Sequence, residues 1–399
     1  MDQLIEKYRK KLVATPLEFV RSSHDKIAWK SRLIGIKGAR GIGKTTMLLQ
    51  HIKAFMPDVD STLYVTLDDI WFSDNKLVDL ADRFVKYGGR SLFLDEVHKY
   101  PNWSQEVKNI YDDYPELHIV FTGSSLLEIL NARADLSRRA ITYEMQGLSF
   151  REYLNLVHGT NFRIYSLEEI LHSHEGVSRE VLREVKPLPL FDMYLQKGYY
   201  PFVVEEPDLY HERLAEVVNM IIEVELPLLR NVAIHYTKKL KQLLLAVAES
   251  APFIPNVSHL AERTSINRNT LVTYLHYLSE SGLTYPLHRK ASGITRMQKP
   301  EKLYLENSNL AYAILGPEPN KGGMRETFFA NQISHVHKCT YPPKGDFLVD
   351  SHWLFEIGGR NKSTKQISEW QEGDYFVARD GIEYGYSNHI PLWQFGFLY

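Results

Sequence analysis

The sequence predicts an α/β chain of 399 residues. A parallel-sheet domain built around a phosphate-binding loop comes first, then a helical and winged-helix region, then a small α+β domain. Three observations carry this. Residues 38–45, Gly-Ala-Arg-Gly-Ile-Gly-Lys-Thr, fit G-x-x-x-x-G-K-[ST] at every fixed position. Residues 32–147 alternate short apolar runs with amphipathic stretches, the rhythm of βαβ units and a parallel sheet. From residue 302 onward the composition turns toward β.

The phosphate-binding loop has the context its chemistry needs. Leu33–Lys37 reads as a buried strand running into it, and Thr45–Ile52 as a helix with an apolar face leaving it. Three glycines let successive backbone N–H groups turn inward around a polyphosphate, and the helix N-terminus adds partial positive charge. Gly38, Ala39, Arg40, Gly41, Ile42, Gly43, Lys44, Thr45 and Thr46 are therefore the expected nucleotide contacts. Lys44 would reach the β- and γ-phosphates, and the Thr45 hydroxyl would sit on Mg²⁺.

The next strands are expected at Thr62–Thr66, Ser91–Asp95, His118–Thr122 and Ala140–Met145. The third ends in two acids, Asp95 and Glu96. Following a good phosphate loop, such a pair reads as a Mg²⁺ ligand, Asp95, and a water-polarising base, Glu96. The fourth strand ends in Thr122-Gly123-Ser124-Ser125. Ser124 there can sense the γ-phosphate or the attacking water. A serine cap on the helix that follows is the competing reading, and both can hold. Arg138 and Arg139 precede the fifth strand. They read either as a solvated basic turn or as an arginine finger reaching a phosphate on a neighbouring subunit.

Residues 148–235 read as mainly helical, with capping boxes at Ser149/Glu152 and Ser166/Glu169. His158, His172, His174 and His211 show no metal-ligand spacing. Residues 236–300 have the rhythm of a winged helix: a helix at 238–248, a short one at 257–263, a turn, and a longer one at 268–280 capped by Asn267. Arg268, Asn269, Thr270 and Thr273 would face a DNA groove, making duplex DNA a candidate partner. A winged helix used only for packing is the alternative.

In residues 301–399, a helix spanning 323–336 carries Glu326, and strands carry Asp346 and Glu356 ten positions apart. That is the outline of a metal-dependent nuclease core, but the lysine such a core needs two residues after the glutamate is Gly358 here. Arg360 and Lys362 lie nearby, out of register. A retained fold without cleavage is the expectation.

Composition sets the outer bounds. Formal net charge is −2, with 44% hydrophobic and 24% charged residues, so no global bias toward nucleic acid or membrane exists. A single cysteine, Cys339, excludes an intramolecular disulfide and argues for a reducing, cytoplasmic setting. No signal peptide and no membrane-length apolar run is apparent.

Together, the phosphate loop, Leu94–Trp103, Thr122–Ser125 and Leu148–Tyr153 resemble the AAA+-type ATPases of bacteria and archaea. More narrowly, the chain resembles a prokaryotic branch with a winged helix and a C-terminal domain of unknown function, similar to restriction-endonuclease-like folds. Gly198–Pro201, Lys302–Leu305, Arg325–Phe329 and Phe355–Lys362 carry that second half. The resemblance implies ATP and Mg²⁺ as cofactors. It implies catalytic roles for Lys44, Glu96, a sensor around Thr122 to Ser124, and Arg139, with Thr45 and Asp95 on the metal. It leaves open whether Arg138 or Arg139 acts. The leading reading is an ATPase whose nucleotide cycle would reposition the attached domains, with a homo-oligomer as a candidate assembly. Asn307 stands where an aspartate is frequent and Gly358 where the nuclease lysine would be. Expected boundaries are 1–147, 148–235, 236–300 and 301–399.

Overall fold

Runs of β-branched and aromatic residues bounded by glycines and charges set the strands of the first half. The computed structural model describes residues 1–56, 58–124, 136, 138–250, 252–255, 257–289, 300–360, 370 and 373–399. The chain separates into two compact units, Met1–Gly147 and Leu148–Tyr399.

The first unit opens with helix α1 (Asp2–Ala14), whose buried Leu4 and Tyr8 face the sheet. Strand β1 (Leu33–Lys37) is followed by α2 (Lys44–Phe55), β2 (Thr62–Thr66), α3 (Leu77–Lys86), β3 (Ser91–Asp95), α4 (Trp103–Asp113), β4 (His118–Gly123) and β5 (Ile141–Glu144). The five strands pair in the order β2-β3-β4-β1-β5, all parallel. β1 sits between β4 and β5 and buries Leu33, Ile34 and Ile36 completely, as a central strand covered on both faces must. Parallel pairing carries all the strand C-termini to one edge, where ligands bind in such sheets. Residues 125–135, which include Ser125 and the helix expected after it, lie outside the described residues.

The second unit begins with two helices, α5 (Phe150–His158) and α6 (Leu167–Leu182), each closed by the expected capping box. α7 (Pro187–Lys197) starts on proline, which supplies a fixed φ where its missing N–H costs nothing. Its C-terminal carbonyls are captured by one side chain: Asn309 Nδ2 donates to Tyr194 O and Leu195 O, while Asn309 Oδ1 accepts from Tyr199 N–H. Helices α8 (Tyr210–Met220), α9 (Leu226–Arg230), α10 (Thr237–Glu249), α11 (Val257–Thr264) and α12 (Arg268–Glu280) follow, then β6 (Thr284–Leu287) antiparallel to β7 (Lys302–Leu305). Asn267 caps α12 through Thr270 N–H at 3.0 Å.

After α13 (Ser308–Leu315) and α14 (Lys321–Ser334), the strands β8 (Cys339–Thr340), β9 (Phe347–Val349), β10 (Trp353–Gly358), β11 (Tyr375–Arg379) and β12 (His389–Pro391) form a second five-stranded sheet, ordered β12-β11-β10-β9-β8. Its β8–β9–β10 part is antiparallel and its β10–β11–β12 part parallel. Phe329 of α14 packs on Phe347 and Phe355 of this sheet and on Phe395 near the C-terminus. The opening helices share that core: Phe150 meets Phe397, and Tyr194 meets Phe328. Residues from the stretches expected at 148–235 and 301–399 therefore bury apolar faces against one another. No helix among the described residues is long and apolar enough to cross a membrane.

Candidate active site

The site is assembled at the C-terminal edge of the first sheet. Gly41 and Gly43 adopt positive φ, 82° and 93°, which a side chain would strain. A Cβ on Gly38 would stand 2.3 Å from Met145 O, so only glycine lets the loop lie this close to the residue after β5. Gly43 is the N-cap of α2, so the loop delivers its backbone directly onto a helix N-terminus. Lys44 is buried, and its ammonium donates to Gly38 O and Ala39 O, both at 2.8 Å. These carbonyls hold the lysine across the mouth of the loop.

Asp95 ends β3 and is 2% exposed. Its carboxylate accepts three hydroxyls: Thr45 at 2.6 Å, Tyr64 at 2.7 Å, and Thr122. The loop, β2, β3 and β4 thus converge on one carboxylate. Burial, and then the Asp95 charge, hold the Tyr64 phenol well above its ordinary range, so it stays a donor. Glu96 follows in the left-handed region, φ 54° and ψ 40°, uncommon for a residue with a side chain. Its Oε2 accepts from Ser124 Oγ at 2.9 Å. His98, in the short turn Val97–Lys99, lies against both: its Nε2 is 3.5 Å from Ser124 Oγ and its Nδ1 3.4 Å from Glu96 Oε2.

The expected residues Lys44, Thr45, Asp95, Glu96 and Ser124 come together here. Arg139 does not join them. Its guanidinium makes a two-pronged contact with Asp112 of α4, both arms at 2.9 Å, while Arg138 is exposed. Two members of the site have no motif to announce them. Arg21 is buried and donates to Ile42 O at 2.6 Å, Gln146 O at 2.7 Å and Gly147 O at 2.8 Å, tying the phosphate loop to the end of the unit. His98 is the other. It stands in the Leu94–Trp103 stretch, but nothing in that pattern distinguishes it from a turn residue.

Asp346 and Glu356 are placed differently from the nuclease outline. Extending the Phe347↔Phe355 pairing by one residue sets Asp346 opposite Glu356 on β10, but the Asp346 carboxylate turns to accept Ile357 N–H at 2.9 Å. A lysine does reach Asp346, from β7 and not from position 358, and its second carboxylate is Glu326, not Glu356. Lys302 Nζ lies 3.1 Å from Asp346 and 3.2 Å from Glu326, and Tyr304 donates to Glu326 at 2.9 Å. Burial opposes the Lys302 charge, but the Glu326 and Asp346 carboxylates outweigh it and raise its pKa above the ordinary lysine value. Among the described residues no group of three or more His, Cys, Asp or Glu could hold a metal. The ammonium of Lys302 is the cation of this cluster.

Residues 30–154 match the AAA domain family, and residues 188–321 match a domain of unknown function, DUF8612. The chain is 27% identical to the uncharacterized protein MJ1637 of Methanocaldococcus jannaschii, over 92% of its own length and 85% of that protein's. Among solved structures it is similar to the Walker-type ATPase PABY2304 of Pyrococcus abyssi, at 13% identity and a TM-score of 0.44, covering 74% of this chain and 96% of that one. AMPPCP-bound DnaA from Aquifex aeolicus follows at 15% identity and a TM-score of 0.24, covering 65% of this chain and 84% of that one. Both structural likenesses are distant. The AAA-domain match falls on the same residues that build the phosphate loop and the Asp95 carboxylate site, and it makes this chain an ATPase.

Proposed function

We propose that the chain is a Mg²⁺-dependent ATPase whose nucleotide cycle repositions residues 148–399. The observation that carries this is the 2.6 Å contact between Thr45 Oγ1 and Asp95 Oδ2. Two hard oxygen donors from distant positions meet beside the phosphate loop. Mg²⁺ prefers this arrangement, taking one or two protein oxygens and completing its shell with phosphates and water. The donor set therefore fits the metal, and when bound it would neutralise charge on the transferred phosphoryl group.

The chain's own residues do the rest. The loop N–H groups and the α2 N-terminus bind the phosphates, and Lys44 exchanges its two carbonyl partners for phosphate oxygens. Tyr64 and Thr122 orient the Asp95 carboxylate by their hydroxyls. Glu96 polarises the attacking water, and Ser124 Oγ donates to its carboxylate at 2.9 Å in this geometry. Arg21 joins Ile42 in the loop to Gln146 and Gly147 at the end of the same unit. The experiment is ATP turnover with and without Mg²⁺ and duplex DNA, read beside the mass of the complex in solution. Turnover that ignores Mg²⁺ would remove the metal reading.

A second reading is an ATP-switched DNA-binding regulator. It is favoured by α11, α12 and the β6–β7 pair, which together have the outline of a winged helix. The exposure of Arg268, Asn269 and Thr273 on α12 adds to it. Duplex affinity that falls steeply with salt and changes with nucleotide supports it. The Lys302 ammonium lying between Glu326 and Asp346 argues against DNA cleavage, because the two carboxylates are already compensated.

A further inference from the structure

Glu96, Ser124 and His98 close a ring of three polar side chains, and the ring has one proton too few. Ser124 has a single hydroxyl proton, which goes to Glu96 Oε2 at 2.9 Å. His98 is a neutral imidazole. Burial, followed by the charges of Lys99, Lys44 and Arg40, pushes its pKa down to about 4. A neutral imidazole carries one N–H and one lone pair.

With the proton on Nε2, His98 donates toward Ser124 Oγ at 3.5 Å, and the Nδ1 lone pair faces the Glu96 carboxylate at 3.4 Å. Two acceptors then oppose each other. With the proton on Nδ1, the ring points it toward Glu96, and Nε2 must compete for the serine proton that Glu96 already holds. In this geometry Nδ1 is buried and makes no hydrogen bond among the described residues. Neither tautomer satisfies every group while Ser124 serves Glu96. A turn of the Ser124 hydroxyl toward His98 Nε2, with Nδ1–H facing Glu96, exchanges one arrangement for the other.

We infer that His98 is a positioning residue for ATP hydrolysis: its imidazole competes with the Glu96 carboxylate for the Ser124 proton, and so sets whether that carboxylate is held by the serine at 2.9 Å or, free of the serine, faces only the longer 3.4 Å contact with Nδ1 and polarises water. The left-handed backbone at Glu96 supports this, because it folds the chain back so that a residue two positions on lies under the glutamate. The inference rests on the reading of Glu96 as the water-orienting acid.

The test uses the full-length protein with five variants: Glu96→Gln, His98→Leu, His98→Gln, Ser124→Ala and His98→Leu/Ser124→Ala. His98→Leu keeps the bulk and removes both nitrogens, leaving the serine proton permanently on Glu96. Turnover should fall on the order of 10- to 100-fold. ATP affinity, read by binding of a fluorescent ATP analogue, should stay within about twofold. His98→Gln presents an amide near the place of Nε2 and should recover much of the rate. The double variant should turn over no more slowly than Ser124→Ala alone, because the imidazole acts only through the serine. Parental turnover in His98→Leu beside an inactive Glu96→Gln overturns the role of His98 and spares that of Glu96. Parental turnover in Glu96→Gln overturns both. Equal loss of affinity and rate in His98→Leu, with no recovery in His98→Gln, reduces His98 to a packing residue and also overturns the inference.

Discussion

Thr45 Oγ1 donates to Asp95 Oδ2 across 2.6 Å, joining the residue after the loop lysine to the end of a strand fifty positions away. Asp95 is thereby fixed relative to the loop, and Lys44 is fixed by Gly38 O and Ala39 O. The buried ammonium is held in these two contacts by carbonyl dipoles. Lys44→Ala should therefore remove tight ATP binding, since no other lysine side chain is anchored in the loop. Isothermal titration that returns the parental affinity would sink the assignment.

Glu96→Gln should separate binding from turnover. The amide keeps the shape, and Asp95 and Thr45 remain in place, but the negative charge that orients water is gone. ATP should bind at nearly parental affinity while hydrolysis falls by roughly 10²- to 10⁴-fold, the span usual for loss of a positioned base. Single-turnover hydrolysis at the parental rate would move the water-orienting role to another group.

The loop, the strands and the acids were legible because each is a local consequence of local sequence. Gly41 and Gly43 stand where the backbone takes positive φ, and β1 to β4 begin at the residues the apolar runs mark. Arg21, His98 and Lys302 were not legible in the same way. Arg21 reaches Gly147 across 126 positions, and Lys302 reaches Asp346 across 44. A charged side chain that satisfies carbonyls or carboxylates so far along the chain leaves no periodicity behind it. The missing lysine at position 358 looked decisive only because the sequence offers registers within a strand. The fold supplies the cation from a different sheet.

His51 predicts an acid-sensitive first unit. Its ring stacks on Trp29 at 3.7 Å and contacts His24 Nε2 through Nδ1 at 3.0 Å. Burial, and then His24, push its pKa down to about 4. Above the unfolded value near 6.5 both states are neutral and stability is unaffected. As pH falls from about 6.5 toward about 4, the unfolded chain binds a proton that the folded one refuses, so stability drops. The full loss is about 3 kcal/mol for this one group. His51→Phe keeps a ring against Trp29 and should flatten the decline in denaturant midpoint between pH 6.5 and pH 4.5. An unchanged slope would place the acid sensitivity elsewhere.

Arg139 as a finger acting on a neighbouring subunit carries a condition: its guanidinium must leave Asp112. Side-chain contact with Asp112 and the Asp112 charge keep it firmly cationic, which suits either role. If it acts in trans, turnover per subunit rises with protein concentration. Arg139→Ala then lowers turnover at nearly constant ATP affinity. Asp112→Asn, which loosens the grip on the fork, raises turnover at a given concentration. Mixing Arg139→Ala with Glu96→Gln restores activity, because each subunit supplies what the other lacks. Concentration-independent turnover, unmoved by either substitution, leaves Arg139 as a partner of Asp112 only.

The Lys302 cluster makes the second unit sensitive to one substitution in a way that depends on pH. The ammonium is shared by Glu326 and Asp346, and all three side chains are largely buried. Burial, and then the Asp346 charge, already raise the Glu326 carboxyl above its usual range even with the lysine present. Lys302→Met preserves length and apolar stem but withdraws the cation. Two carboxylates are then left together in a poorly hydrated place, where an uncompensated charge typically costs about 3–5 kcal/mol. The chain can lower that cost by protonating Glu326, whose pKa is already raised, and the proton is available at low pH. The sign follows. In the variant, the folded state binds a proton that the unfolded state releases above its ordinary carboxylate pKa, so stability falls as pH rises from 5 to 8. Urea unfolding followed by near-ultraviolet dichroism should show the largest deficit at pH 8 and a partial recovery at pH 5. Lys302→Met/Glu326→Gln removes the charge conflict and should recover much of the loss at pH 8. A deficit that is equal at both pH values, and is not relieved by the second substitution, would mean that Lys302 holds this unit together by packing and not by charge.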